Sequence, residues 1–284
     1  MAEPRYPLSG KTPRHEVLHE GIPAWLREPV LAWLQDAIDT VTDAIGTLDA
    51  EPKLARAFDM YARLEDPLAP HVGGAHLQFV VRNRDDELVL DFIDYIVADV
   101  QRAERSPFGP KRLGSILHQG GSVWRVAEDD EKPHLERRVD DTSMAAADKA
   151  MAESGHAGKL LAEAWQKVYG RSPDPKGAYA KAVLAVEEIA APFVIPDDPK
   201  PTLGKIASAM ANQRNWRYVL HEGGKESAQD APLHQVQELW HRDPRHADGK
   251  ANYRDPSQQE AETAVFLAVG LVHMFHNGLI ARRG

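Results

Sequence analysis

From Trp25 onward apolar side chains return at every third or fourth position, the spacing that gathers them on one face of a helix. Trp25, Leu26, Val30, Trp33, Leu34, Ile38, Val41 and Ile45 form the first such stripe, with an interruption expected at Pro29. Leu54, Phe58 and Tyr61 give the inward face of a second helix over Pro52 to Leu64, and turn residues between Pro67 and Gly74 break the rhythm. Leu77 to Val81 is too short for its period to separate a strand from a helical turn. Val89, Phe92, Ile93, Ile96, Val97 and Val100 resume the helical step, which Ser106 to Pro110 ends. Ahead of all this, residues Met1 to Arg14 hold three prolines and no apolar rhythm, and read as an arm.

The period then changes. Ser122 to Val126 and Leu135 to Val139 flank an acidic turn, the pattern of a β-hairpin. Gly120 and Gly121 lead into that hairpin; no G-K-[ST] follows them and no helix comes next, so they are not a phosphate-binding loop. From Asp141 the chain reads as helical throughout. Met144 to Met151 opens it, Leu161, Ala164, Trp165, Val168 and Tyr169 follow, and Gly170 is a stop. Asp174 and Pro175 supply an N-cap and a first-turn proline for a helix with Tyr179, Ala182, Val183, Val186, Ile189 and Ala190 inward. Pro192, Pro196, Pro199 and Pro201 force an extended connector, and Thr202 caps a short helix running through Met210.

The last third holds an amphipathic helix from Leu233, a polar loop, and a final helix. Ser257 and Glu260 form an S-x-x-E capping box for that helix, and Asn277-Gly278 is its exit. Between Ala264 and Phe275 apolar side chains occur on every face, so the helix is expected at the centre of a bundle or in a dimer interface. The fold class is therefore mostly α. It divides into an arm (1–21), a helical N-terminal domain (22–110), a β-hairpin junction (111–140) and a C-terminal helical bundle (141–284).

Composition narrows the function classes. Hydrophobic residues at 43% and charged residues at 27% are ordinary for a globular chain. The absence of cysteine removes disulfides, thiolate nucleophiles and Cys-ligated zinc. The Met-Ala-Glu-Pro start lacks a signal-peptide pattern, and the longest apolar run, Ala264 to Val272, is about half of a membrane span, so a cytoplasmic protein is expected. A net charge of −9 argues against coating nucleic acid, though not against a local RNA-binding patch.

Three sets of residues bear candidate chemistry. His15, Glu16 and His19 match the H-E-x-x-H of zinc hydrolases, but only fourteen residues precede them and Gly21 and Pro23 stop the helix that the motif needs. A solvated arm is the preferred reading there, and no cofactor is expected. Glu187 with Glu188 reads as a solvated pair, and His273 with His276 as packed or surface histidines. The loop between the last two helices is richer. Within His241 to Arg254 lie two histidines, three arginines and a lysine, with Asp243, Asp248 and Tyr253. Imidazole is an acid or base near neutral pH, and guanidinium stabilises the charge of a phosphorane; together they suffice for metal-free cleavage of RNA.

The segment AWQKVYGRSPDPKGAYAKAVLAVEEIA, the TLGK turn at Thr202 to Lys205, and RHADG ahead of an Ala/Val/Leu-rich final helix carry a resemblance. From about Lys159 to Phe275 the chain resembles the C-terminal module of abortive-infection-type proteins, a branch of the HEPN helical superfamily. The resemblance implies a helical bundle that forms a homodimer through its last helix. For active members it implies a defence-related RNase in which a loop-borne Arg and His from each subunit meet at the seam. Carried onto this chain, His246 is the acid or base at the ribose 2′-hydroxyl, Arg242 and Arg245 hold the phosphate, and Tyr253 and Arg254 line the groove. Three residues separate Arg242 from His246, one fewer than in the R-x4-6-H spacing of active members. The alternative is a non-catalytic dimerisation or ligand-sensing module, with the Trp-rich N-terminal domain contacting a partner protein.

Overall fold

The computed structural model describes residues 18–102, 109–127, 133–214, 216–220, 230–241 and 254–282. Among them are eleven α-helices and two small two-stranded antiparallel sheets, a mostly helical fold. The chain forms two compact units, Met1–Arg138 and Val139–Gly284.

In the first unit α1 (Ala24–Ile45), α2 (Ala50–Ala62), α3 (Leu77–Arg82), α4 (Asp86–Arg102) and α5 (Pro110–Gln119) surround a core that includes Trp33, Leu34, Phe58, Phe92 and Ile93. Phe58 and Phe92 meet edge to face at 4.8 Å. Pro29 does not interrupt α1, which runs through it to the left-handed Gly46. Proline in the second turn deprives one carbonyl of its donor, and burial of Val30, Leu31, Trp33 and Leu34 just beyond it outweighs that loss. Three residues expected to face inward are instead exposed: Trp25 at 59%, Ile45 at 38% and Tyr61 at 61%. Trp25 and Ile45 stand at the two ends of a 22-residue helix, where a stripe spaced at three and four overruns the core.

Leu77 to Val81 is helical, with Leu77 and Val81, one turn apart, both buried. Glu51 accepts from the Leu77 N–H at 2.8 Å and so satisfies a donor at the start of α3. Within the expected hairpin junction, Pro110–Gln119 is a helix that packs Leu113 and Leu117 into the core. The hairpin itself is present. β1 (Trp124–Val126) pairs antiparallel with β2 (Leu135–Arg137), with Arg125 directly opposite Glu136. Arg125 Nε donates to the buried Glu136 at 2.6 Å. Burial pushes the Glu136 carboxyl up, but hydrogen bonds and charge from His134 and Arg125 outweigh it and hold the group below its ordinary value.

The second unit is built on α6 (Asp141–Glu153), α7 (Gly155–Tyr169), α8 (Pro175–Val194) and α11 (Gln258–His276), with α9 (Leu203–Gln213) and α10 (Ala231–His241) beside them. Its caps follow the sequence. Asp174 accepts from Gly177 N, Thr202 from Lys205 N, and Ser257 and Glu260 form the reciprocal capping box. α8 continues through Pro192 to Val194, and the extended connector starts only after it. The unit is not wholly helical: β3 (Trp216–Tyr218) pairs antiparallel with β4 (Ile280–Arg282). Nor are Glu187 and Glu188 a solvated pair. Glu188 is half exposed, near His156, but Glu187 is 8% exposed and accepts from the Leu203 N–H at 2.8 Å, at the start of α9. α11 beds Ala264, Val265, Ala268, Val269, Val272 and Phe275 against α6, α7 and α8, while Phe266 stays 37% exposed.

Candidate functional site

The polar loop between α10 and α11 leaves one helix end and enters another, and the contacts on either side fix those two points. Three residues before it, the carbonyl of Leu239 accepts from the buried Tyr179 hydroxyl at 3.0 Å. Just after it, Asp255 pairs with Lys176 at 3.3 Å. Lys176 and Tyr179 are three positions apart on the first turns of α8, so Leu239 before the loop and Asp255 after it are held at the same helix end.

Neighbouring contacts bring further elements to this point. Gln258, the first residue of α11, donates to the Val168 carbonyl near the end of α7 at 2.7 Å. Arg254 grips Glu260 with a two-pronged fork, Nη1 to Oε2 at 2.7 Å and Nη2 to Oε1 at 2.6 Å. The same carboxylate accepts from Ser257 N at 2.8 Å. The Arg254 hydrogen bond, then that of the Ser257 N–H, holds the Glu260 carboxyl down at about 2. Asp174, hydrogen-bonded by Lys167 at 2.8 Å and by Gly177 N, is likewise held below the ordinary carboxylate range. The N-terminal ends of α8 and α11 and the C-terminal end of α7 are thus joined by three ion pairs: Lys167–Asp174, Lys176–Asp255 and Arg254–Glu260. Helix N-termini favour anions, and at these two starts the chain's own Asp174 and Glu260 take that place.

Of the residues singled out in the sequence, Arg242, Arg245, His246 and Tyr253 lie outside the described residues. Arg254 is described, with its guanidinium turned onto Glu260. His241 ends α10, its ring 4.7 Å from that of Trp240. His273 is within reach of Asn277 one turn on, and His276 is exposed. His15 and Glu16 also lie outside the described residues. His19 is not helical: it is extended, bridged to Ser122, with its ring edge-on to Trp25 at 5.0 Å. H-E-x-x-H chemistry needs both histidines on one helical face. Among the described residues no group of three or more His, Asp or Glu could hold a metal ion, and no helix is long and apolar enough to cross a membrane.

Sequence reasoning missed Lys176, Tyr179 and Gln258 as the residues that frame the loop. Tyr179 was legible only as a core position, although a buried tyrosine hydroxyl needs a partner. Neither the family models, the curated proteins nor the solved structures compared with this chain gave a match.

Proposed function

We propose that the Val139–Gly284 unit is a metal-independent endoribonuclease, acting as a homodimer in a cytoplasmic, defence-related role. The observation that carries this reading is that Leu239 and Asp255, on either side of the Arg/His-rich segment, are both held at the N-terminal end of α8, by Tyr179 and Lys176. In the proposed reaction His246 takes the proton of the ribose 2′-hydroxyl, and the 2′-oxygen attacks phosphorus. Arg242 and Arg245 stabilise the charge of the phosphorane, and the 5′-oxygen leaves as a hydroxyl by taking the proton that His246 accepted, giving a 2′,3′-cyclic phosphate and the free imidazole. The exposed Phe266 on α11 offers an apolar contact to a second copy.

The test is incubation of the purified chain with end-labelled RNA in the presence of EDTA, beside His246→Ala and Arg245→Ala. Cleavage ending in a cyclic phosphate is expected for the wild type, with a loss of about 10²-fold or more in His246→Ala. Equal and negligible cleavage by wild type and variant sinks the enzyme reading. It leaves the second reading, a non-catalytic dimerisation or ligand-sensing module. Supporting that second reading, Lys167, Lys176 and Arg254 at the loop's edges are already paired with carboxylates. Light scattering of Phe266→Glu tests the dimer in either case: the mass is expected to fall from twice 31.5 kDa to one copy.

A further inference from the structure

On the first unit a groove of about 480 Å³ runs between α1, α2 and α4. Val41, Ala44 and Ile45 of α1, Leu54 and Ala57 of α2 and Tyr95 of α4 wall it, with Lys53 and Asp99 at its edge. Tyr61, one turn beyond Ala57, lies against Tyr95 with the ring centroids 4.9 Å apart. Ile45, Leu48, Met60 and Tyr61 are all exposed along the ends of α1 and α2. Ile45 in the groove wall and Tyr61 against Tyr95, both left in water beside an apolar groove, mark a surface that another molecule covers.

The charge around the groove says which kind. The span 24–100, which includes all three helices but for the last two residues of α4, carries 15 Asp and Glu against 6 Lys and Arg, a net −9. The whole chain has the same net charge, so its acidity is concentrated on this span. On α4, Asp91 and Asp99 stand one turn to either side of Tyr95. After burial, Asp94 and Asp91 raise the Tyr61 hydroxyl above its ordinary value, and Asp99 does the same for Tyr95. A second copy of the same face would bring two such acidic surfaces together, and nucleic acid would bring phosphates, both repelled. A small polyamine would leave the apolar wall uncovered.

We propose that this groove is the docking site for a basic amphipathic peptide segment of a partner protein. Its apolar side chains seat between Ala44, Leu54 and Ala57, and its lysine or arginine side chains meet the surrounding carboxylates and the faces of Tyr61 and Tyr95.

The experiment is a fluorescence-anisotropy titration of the full chain with a fluorescein-labelled Leu/Lys amphipathic peptide of about 14 residues, roughly four helical turns. Two controls are a Leu/Glu peptide with the same leucine positions and a peptide of lysine and serine alone. Saturable one-to-one binding of the Leu/Lys peptide is expected. Ala57→Arg, which fills the groove with a cation, and Tyr61→Ser, an exposed position, are each expected to weaken it about tenfold or more. Glu163→Lys, on the other unit, should leave it within about twofold. Far-UV circular dichroism checks that the variants keep their helices. The proposal is overturned if both groove variants bind as the wild type does, or if either control peptide binds as tightly as the Leu/Lys peptide. It is also overturned if Ala57→Arg halves the mass of the chain in light scattering, because the occupant is then a second copy.

Discussion

Glu187 joins two helices through one carboxyl group. It sits on α8, 8% exposed, and accepts from the N–H of Leu203, the first residue of α9. That N–H is one of the donors a helix start leaves without an intrahelical partner. Glu187→Ala removes the acceptor and leaves a small void, so a loss of about 2–3 kcal/mol is expected in urea denaturation. Glu187→Gln keeps an acceptor oxygen in the same place and should cost about 1 kcal/mol; equal effects of the two changes would refute this role. Glu260 is the opposite case, a carboxylate reached by water, whose fork to Arg254 is screened and whose signature is its titration. Its folded pKa of about 2 lies below the usual 4.5. The stabilisation is therefore complete above the usual value and disappears as the pH falls through about 2. Thermal melts of wild type and Glu260→Gln between pH 5 and pH 2 should converge toward the acid end; a constant gap would show that Glu260 is not depressed.

Helices α6 and α7 pack so closely that a glycine decides the approach. A methyl group at Gly158 would overlap the Met151 carbonyl oxygen and stand 2.9 Å from its carbon, backbone that cannot swing aside. Alanine ordinarily improves a helix interior over glycine by about 1 kcal/mol. Here the overlap wins, and Gly158→Ala should lower stability by about 1–3 kcal/mol in chemical denaturation. Gly270 on α11 is the control. A methyl there meets only Met274 at 3.8 Å, so Gly270→Ala should be neutral or stabilising by up to about 1 kcal/mol. This contrast is invisible in the sequence, where both glycines simply interrupt a helical stripe. What the sequence did carry was local: the apolar stripes of α1, α4, α7 and α8, and the caps at Asp174, Thr202 and Ser257. What it could not carry was pairing between distant segments. β3 and β4 have three residues each, too few to show a period, and they find one another across α10 and α11. The candidate loop was legible by residue type, but its tethers join Tyr179 to Leu239, 60 residues away, and Lys176 to Asp255.

The two cores share no residue. One draws only on positions from Ile22 to Leu135, the other only on positions from Met144 to Ile280. Each unit is long enough to bury a core of its own. Stability should then behave as two properties rather than one, and a core lesion should be felt on one side only. Phe58 supplies the test: it is fully buried and holds edge-to-face contacts with Phe92 and Tyr95. Phe58→Ala removes those contacts and leaves a cavity that the surrounding helices fill only in part, at a cost of about 3–5 kcal/mol. In calorimetry of the full chain, the transition of the first unit should move to a lower temperature while a second transition stays in place. The second should coincide with the single cooperative melt of residues 139–284 expressed alone. If both transitions shift together, or if that fragment melts without cooperativity, the units depend on one another for stability despite their separate cores.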